Sequence, residues 1–303
     1  MIFATCLAVT KSSAQAGSAA NSSVLGVFVA ATPSHDLIRP LLQIPAGADC
    51  DLVKWELTLY HHPQTFAPTT YSLRSEYGFY INNSTYEKRG TYTTAGTWAI
   101  VKNVPGHPDA VFYTLDPDRP KISLSFLRLN NNVIHVTNSD KSLMIGNGGW
   151  SFSLNRKDPI AMALVNQTIP SSAVDRSLTQ IVFHGRTPCQ EIARVSAIPT
   201  VEDCIKIKWL LTLNYDPATH DPTTFSINHT LHRQGLITGT WTILRGTKTN
   251  LQATVYRLDT DKPEESIYLL QADKNVLFFL DKDLNPLSGN QDFAYTLNFK
   301  SKQ

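Results

Sequence analysis

The chain has 303 residues, 42% of them hydrophobic, which is enough for two domains of ordinary size with a core each. Its 27 basic and 25 acidic side chains give a net charge of +2, and this near balance argues against nucleic acid or an anionic membrane as the main partner. Threonine, aromatic and β-branched residues are plentiful, so the composition predicts a mostly β protein, and no later stretch is apolar and long enough for a membrane span.

Residues 1–23 are predicted to be a signal or disordered segment. A short apolar run, MIFATCLAV, is followed by small polar residues and by Ala14-Gln15-Ala16, a triplet that resembles a signal-peptidase site. We therefore predict export to the cell envelope, in the periplasm or associated with the outer membrane, with an ordinary disordered N-terminus as the alternative. The four residues that end at Cys6 loosely resemble a lipobox, so Cys6 is a candidate for a lipid anchor.

Nearly the whole chain consists of two copies of one pattern. Cys50 and Trp55 recur as Cys204 and Trp209, at an offset of 154 residues. From Gly96 onward the offset is 143, so the first copy contains eleven additional residues, which fall within the segment SEYGFYINNSTYEKR. The repeat predicts one domain over residues 24–157, a linker over 158–179 and a second domain over 180–303.

Each copy contains about eight short strands separated by turn residues. In one strand Trp209, Leu211 and Leu213 share one face, while Lys208 and Thr212 share the other. Each strand thus has one apolar face and one polar face, and short hairpin loops join successive strands. This pattern favours a closed antiparallel barrel, because closure removes the exposed edges of the sheet. The predicted fold is all-β, with two tandem eight-stranded up-and-down barrels of lipocalin-like type. Strands of the second copy are predicted over residues 181–183, 206–214, 223–232, 238–244, 253–258, 266–272, 276–280 and 294–298.

The longest connection in the second copy, over residues 188–203, is predicted to form a short helix or lid at one barrel end. Cys189 and Cys204 flank it, and in an exported protein such a pair predicts a disulfide worth roughly 3 kcal/mol in the chain-entropy model. The alternative is a thiol pair that binds a soft metal such as Cu(I). The first copy has Ser34 in place of Cys189, so Cys50 is expected to be unpaired, buried and inert.

The second copy resembles a known family of bacterial envelope proteins. The run Phe183-His184-Gly185-Arg186-Thr187-Pro188-Cys189 precedes Asp203-Cys204, an amphipathic strand that ends in LTL, and Gly239-Thr240-Trp241. This order is similar to the N-terminal barrel domain of the NlpE-type copper-resistance lipoproteins. The resemblance implies a lipocalin-related barrel at the cell envelope and a link to copper or other metal stress. The family carries a compact Cys-x-x-Cys after Leu-Pro, whereas fourteen residues separate the two cysteines here.

The candidate metal site consists of Cys189, Cys204 and His184. His184 lies close in sequence to Cys189, and thiolate and imidazole are both ligands that copper accepts. Apart from copper, no cofactor is predicted.

Signals for catalysis are weak, since the sequence has no nucleophile elbow, no phosphate-binding glycine loop and no HExxH motif. Acidic pairs recur before a proline in both copies, as Asp116 with Asp118 and Asp259 with Asp261. Their position at the end of a strand predicts polar turns, with a paired-carboxylate catalyst as the alternative.

The sequence therefore suggests a non-catalytic binding or sensing protein of the bacterial envelope. Its expected partner is a metal ion or another envelope protein, and neither a membrane span nor nucleic-acid binding is predicted. One alternative is a lipocalin-like carrier with a small apolar ligand inside one barrel. Another is an enzyme that acts through the repeated acidic residues. Trp209, Trp241 and Ile243 predict a filled barrel interior, which disfavours the carrier.

Overall fold

The computed structural model describes residues 22–82, 85–160, 178–195, 204–229, 236–260, 262 and 265–301. The structure has 52% of its residues in strands and 2% in helices, and the strands close into two antiparallel eight-stranded barrels. The predicted fold class is thus confirmed. Most of the predicted signal segment (1–21) and of the linker (161–177) lies outside the described residues. In the described part of the chain, no helix has the length and hydrophobicity needed to cross a membrane.

Barrel 1 is an up-and-down meander in which each strand pairs with the next, and β1 pairs with β8 to close the sheet. On β2, Trp55, Leu57 and Leu59 are buried, while Glu56 and Thr58 between them are half-buried. The period of two in the sequence therefore sets which face points inward. The strands are β1 (Ser23–Pro33), β2 (Leu52–His61), β3 (Pro68–Tyr80), β4 (Tyr86–Val101), β5 (Phe112–Leu115), β6 (Leu124–Arg128), β7 (Val133–Thr137) and β8 (Ser153–Arg156).

Barrel 2 repeats this meander, and β16 pairs with β9 to close it. The first strand is longer than predicted, because β9 pairs with β10 along its whole length, from Gln180 with Asn214 to Thr187 with Ile207. A short helix follows β9, as the connection predicts. The elements are β9 (Gln180–Thr187), α1 (Gln190–Val195), β10 (Ile207–Tyr215), β11 (Pro222–His229), β12 (Ile237–Arg245), β13 (Thr254–Asp259), β14 (Ile267–Gln271), β15 (Val276–Leu280) and β16 (Thr296–Phe299).

The interior of each barrel is filled by large buried side chains. One tryptophan in each copy makes the same hydrogen bond: Trp55 Nε1 donates to Thr32 Oγ1, and Trp209 Nε1 donates to Thr187 Oγ1, both at 2.8 Å. A buried indole N–H needs a hydrogen-bond acceptor. Each copy therefore carries both the tryptophan and the threonine that accepts its hydrogen bond. Further large interior residues are Phe28, Trp98, Phe126 and Phe152 in barrel 1, and Phe183, Phe225, Trp241, Phe279 and Tyr295 in barrel 2.

The eleven additional residues of the first copy lengthen one hairpin of barrel 1. β3 has 13 residues and β4 has 16, whereas the corresponding β11 and β12 have 8 and 9. The paired strands extend as far as Tyr80 opposite Tyr86. This extension carries aromatic side chains beyond the end of the barrel, at a place where barrel 2 has no described counterpart.

The two barrels pack against each other through their outer faces. All positions of β5, β7 and β15 are buried, because one face of each strand points into its own barrel and the opposite barrel covers part of the other face. We call the apolar cluster between the barrels the interface core. Its buried members are Ala110, Phe112, Leu127, Leu129, Val133 and Leu143 from barrel 1, and Ala253, Val255, Leu270, Ala272, Val276, Phe278 and Leu280 from barrel 2.

Two of the hydrogen bonds across this interface form a reciprocal pair. The Gly146 N–H donates to Asn298 Oδ1 at 2.7 Å, and the Gly289 N–H donates to Asn155 Oδ1 at 2.8 Å. Gly146 and Gly289 are counterparts in the repeat, as are Asn155 and Asn298. Each bond is therefore the image of the other under a local twofold axis, as in a symmetric dimer.

Residues near this axis meet their own counterparts in the other copy. The His135 and Phe278 rings pack edge to face with centroids 5.5 Å apart, and Ser153 Oγ lies 2.9 Å from Thr296 Oγ1. His135 Nδ1 lies 2.9 Å from Ser153 Oγ, and its Nε2 lies 2.9 Å from the Met144 carbonyl oxygen. Because a carbonyl oxygen only accepts, Nε2–H is the donor and Nδ1 accepts from Ser153, which assigns a neutral tautomer.

We expect the stability of the protein to depend on the neutral form of His135. Burial lowers the pKa of His135 from 6.5 to about 4. The folded state therefore resists protonation of His135. The contribution of neutral His135 to the free energy of unfolding is complete above pH 6.5 and is lost as the pH falls toward 4. The free energy of unfolding should be about 2 kcal/mol lower at pH 5 than at pH 7 because of this one group. Urea unfolding at the two pH values measures it.

The matched control for this experiment is His135→Gln, which keeps a polar side chain but does not titrate. In this variant the additional loss between pH 7 and pH 5 should disappear, although the variant is less stable at pH 7. An equal pH dependence in both proteins would contradict the assignment of the effect to His135.

Candidate ligand-binding cleft between the barrels

The predicted disulfide between Cys189 and Cys204 is present. It joins two residues 15 positions apart, with their Cα atoms 5.9 Å from each other. Cys189 is buried in the interior cluster of barrel 2, together with Ile192 of α1. The bond therefore fastens α1 over one end of barrel 2 and fixes the start of β10.

His184 does not lie beside this pair. On β9 the buried residues Phe183 and Gly185 alternate with half-buried ones, so His184 points away from the interior that holds Cys189. Its ring packs against Gly148 of barrel 1, where an added Cβ would collide with the imidazole. Burial lowers the pKa of His184. The three predicted ligands are not brought together in the oxidised protein, and copper binding stays a prediction for the reduced chain.

No other metal centre is evident in the part of the chain that the structure describes, since no group of three or more His, Cys, Asp or Glu side chains could hold an ion there. Cys50, the free cysteine of barrel 1, is half-buried rather than fully buried, and its thiol contacts the Leu52 carbonyl oxygen at 3.5 Å.

In barrel 1 an arginine network occupies the place of the disulfide. Arg39 Nε donates to Ser34 Oγ at 2.8 Å, and its Nη2 donates to the carbonyl oxygens of Ala48 at 2.8 Å and Cys50 at 3.3 Å. Ser34 and Cys50 are the counterparts of Cys189 and Cys204. Each copy thus ties down the same connection, one with a covalent bond and the other with a guanidinium group. No motif in the sequence indicates this role of Arg39.

The repeated acidic residues have structural partners within their own barrels. Asp116 is buried, accepts a hydrogen bond from the Tyr71 hydroxyl at 2.6 Å and forms an ion pair with Arg119. Asp259 accepts from Ser266 Oγ at 3.0 Å and pairs with Arg257 at 2.7 Å. Of their second members, Asp118 is exposed, and Asp261 lies outside the described residues.

The feature best suited to hold a ligand is a cleft of about 800 Å³ between the two barrels. A cleft of this volume is within the range of small-molecule sites. Both asymmetric features of the repeat meet there. The extended hairpin supplies one wall, and the residues directly after Cys204 supply the opposite wall. The lining residues are Lys54, Tyr80, Asn82, Tyr86, Trp150, Arg186, Ile205, Lys206, Gln291, Asp292 and Phe293.

Three cations line this cleft, and each lies over an aromatic ring. Lys54 Nζ is 4.4 Å from the centroid of the Tyr86 ring, and the Arg186 guanidinium carbon is 5.6 Å from that of Trp150. Lys206 Nζ is 5.5 Å from the ring centroid of the buried Phe293. Among the described residues, no carboxylate lies within 4.0 Å of any of these three cationic groups. The cations are therefore held over rings and form no ion pair with the described residues, and Glu76, the cross-strand neighbour of Lys54, pairs with Arg74 and Lys88 instead.

The cleft also presents flat apolar surface and a hydroxyl without a partner. The Tyr80 and Trp150 rings stack with an interplanar angle of 9° and centroids 5.9 Å apart. The Tyr86 hydroxyl oxygen is buried and has no hydrogen-bond partner among the described residues, while burial raises the pKa of Tyr86. Asp292 is the single carboxylate of the lining and, together with burial, raises the pKa of Tyr80. Three cations against one carboxylate leave the cleft positive.

No family model, curated protein or solved structure matches the chain. The case for a ligand site in the cleft therefore depends on the geometry of the cleft alone. A sequence signal for it existed in the aromatic composition of the eleven-residue insertion, but the residues of barrel 2 that face the insertion could not be identified without the packing of the barrels.

Proposed function

We propose that this protein is a non-catalytic binding or sensing protein of the bacterial envelope, and that the cleft between the barrels is its ligand site. The observation that carries the proposal is the set of three cations without counter-ions, each placed over an aromatic ring of the cleft. A disulfide supports an oxidising compartment such as the periplasm. The resemblance to the NlpE-type barrel supports the envelope and suggests metal stress as the setting.

The chemistry of the cleft favours an anion that carries a flat ring. Lys54, Arg186 and Lys206 attract negative charge, and because they lie at a partly buried surface the attraction is less screened than in open water. The stacked pair of Tyr80 and Trp150 offers a surface for a ring. We therefore propose a small aromatic anion as the ligand class.

The other hypotheses have less support from the described residues. The interior of each barrel is occupied by bulky side chains, which disfavours a carrier that holds its ligand inside a barrel. Asp116 and Asp259 are engaged by Tyr71, Arg119, Ser266 and Arg257, which disfavours catalysis by these carboxylates. Copper binding needs the disulfide to be reduced, because the thiolate is the metal ligand.

The proposal predicts that naphthalene-2-sulfonate binds the protein with one site per chain. Lys54→Met should weaken this binding about tenfold, or about 1.4 kcal/mol, because it removes one positive charge from the cleft. Naphthylmethylammonium, which has the same ring and the opposite charge, should bind more weakly than the sulfonate. Isothermal titration calorimetry at low ionic strength measures all three affinities.

The matched control is Lys208→Met, since Lys208 is the counterpart of Lys54 in the repeat but does not line the cleft. It should leave the affinity unchanged. Equal weakening by both variants, or no binding at millimolar sulfonate, would contradict the proposal. One tight Cu(I) site in the reduced protein, lost in Cys189→Ser and indifferent to Lys54→Met, would favour the copper function instead.

A further inference from the structure

A second cavity lies at one end of barrel 1, away from the cleft between the barrels. It has a volume of about 540 Å³ and is enclosed by the connection after β1, the turn after β5 and the hairpin after β7. We call it the rim pocket. One side is apolar, with Leu37, Ile38, Leu41, Leu124 and Met144.

The other side of the rim pocket carries hydroxyl groups and one cation. Lys141 Nζ donates to Ser125 Oγ at 2.6 Å, and Ser125 Oγ lies 3.0 Å from Thr114 Oγ1. Thr137 Oγ1 donates to the Ser125 carbonyl oxygen at 3.1 Å. The four polar side chains thus form one connected group, with Ser125 at its centre.

Lys141 is half-buried, and in the described part of the chain no carboxylate lies within 4.0 Å of its ammonium group. The neighbouring Asp140 instead accepts hydrogen bonds from the Ser142 hydroxyl at 2.6 Å and from the Ser142 N–H at 3.0 Å. Burial lowers the pKa of Lys141. Lys141 Nζ also lies 5.7 Å from the centroid of the Phe112 ring, so a hydroxyl and a ring contact this ammonium group. A partly desolvated ammonium group of this kind is stabilised further by a bound anion.

The second copy has large side chains where the first copy has this opening. Thr114, Ser125 and Lys141 correspond to Arg257, Tyr268 and Leu284. Arg257 pairs with Asp259 at 2.7 Å, Lys282 Nζ lies 5.8 Å from the centroid of the Tyr268 ring, and Leu284 packs against the interface core. The two copies share one backbone fold, but at these three positions barrel 1 has a threonine, a serine and a lysine where barrel 2 has an arginine, a tyrosine and a leucine. The small side chains and the lysine therefore occur here in barrel 1 and not in barrel 2.

We infer that the rim pocket is a second binding site, which takes an aliphatic carboxylate. The carboxylate would accept hydrogen bonds from the Lys141 ammonium group and from whichever hydroxyl of the Thr114–Ser125 pair does not donate to the other. The aliphatic chain would lie along Leu37, Leu41 and Met144, which are aliphatic and offer no ring for stacking. One lysine and one hydroxyl donor match a single carboxylate. This inference does not depend on the function proposed for the cleft.

The test uses decanoate as the probe and calorimetric titration of the full chain. Decanoate should bind at one site, and decanol and decylammonium should bind at least about tenfold more weakly because neither is an anion. Lys141→Met should weaken decanoate binding by about tenfold or more. Lys282→Met is the matched control, since Lys282 lies on the corresponding hairpin of barrel 2, and it should leave the affinity unchanged.

Ser125→Tyr provides a second variant that introduces the residue of the other copy and should block the pocket. Its circular dichroism and melting temperature show whether it folds, and Lys141→Met remains decisive if it does not. Lys54→Met should not affect decanoate, which separates this site from the cleft. Decanoate binding that is unchanged in Lys141→Met, or equally tight binding of decylammonium, would overturn the inference.

Discussion

Replacing Phe278 with alanine should lower the free energy of unfolding by about 3–5 kcal/mol. The side chain is 2% exposed and belongs to the interface core, where it also meets the His135 ring of the other barrel. Truncation would remove buried apolar surface and leave a cavity that two rigid barrels cannot close. Equilibrium unfolding in guanidinium chloride, followed by tryptophan fluorescence, measures the loss.

The position of Phe278 between the barrels gives this prediction a second readout. If the interface is weakened, the amide protons of Gly146 and Gly289, which bridge the barrels, should exchange faster with solvent than in the wild-type protein. Phe66→Ala is the control, because Phe66 is 68% exposed and its removal should change stability by no more than about 0.5 kcal/mol. A loss below about 1 kcal/mol in Phe278→Ala would contradict the interface described above.

Removing the disulfide should lower the free energy of unfolding by about 3 kcal/mol, the chain-entropy value for a closed loop of this length. The double variant Cys189→Ser, Cys204→Ser and the reduced wild-type protein should show the same loss, because both release the 15-residue connection. Thermal unfolding with and without reductant measures it.

Cys50→Ser is the control for the disulfide, since Cys50 is the free cysteine of the described residues. This variant should lose the same stability on reduction as the wild-type protein does, whereas the double variant should be insensitive to reductant. A wild-type protein whose melting temperature does not change on full reduction would show that α1 and β10 are held by packing alone.

The sequence predicted the barrels because two signals agreed. Trp55 and Trp209 lie in strands of clean alternation, and the repeat showed that the alternation belongs to a whole domain. The disulfide and the short helix were also visible, since two cysteines flank the longest connection. All of these features depend on residues close together in the chain or on a comparison of one copy with the other.

The packing of the barrels was not predicted, because it depends on contacts between residues far apart in sequence. The run Val276-Leu277-Phe278-Phe279-Leu280 is apolar at every position, which indicates burial on both faces of a strand, but it does not identify what covers the outer face. For the same reason, the closeness of His184 to Cys189 in sequence does not predict that the two side chains meet, and the alternation of β9 directs them apart. Nothing in the sequence indicates that Tyr80 and Tyr86 share a cleft with Arg186 and Lys206.

The local twofold axis limits the number of clefts between the barrels to one per molecule. Trp150 and Phe293 are counterparts in the repeat, yet both line the same cleft, so the axis does not generate a second copy of it. In a complex of two identical chains, these positions would carry the same side chain. Because both copies belong to one chain, the two members of a pair can differ: Trp150 corresponds to Phe293, and His135 corresponds to Phe278. Titration with naphthalene-2-sulfonate should therefore fit a simple hyperbola with one site per chain and no cooperativity.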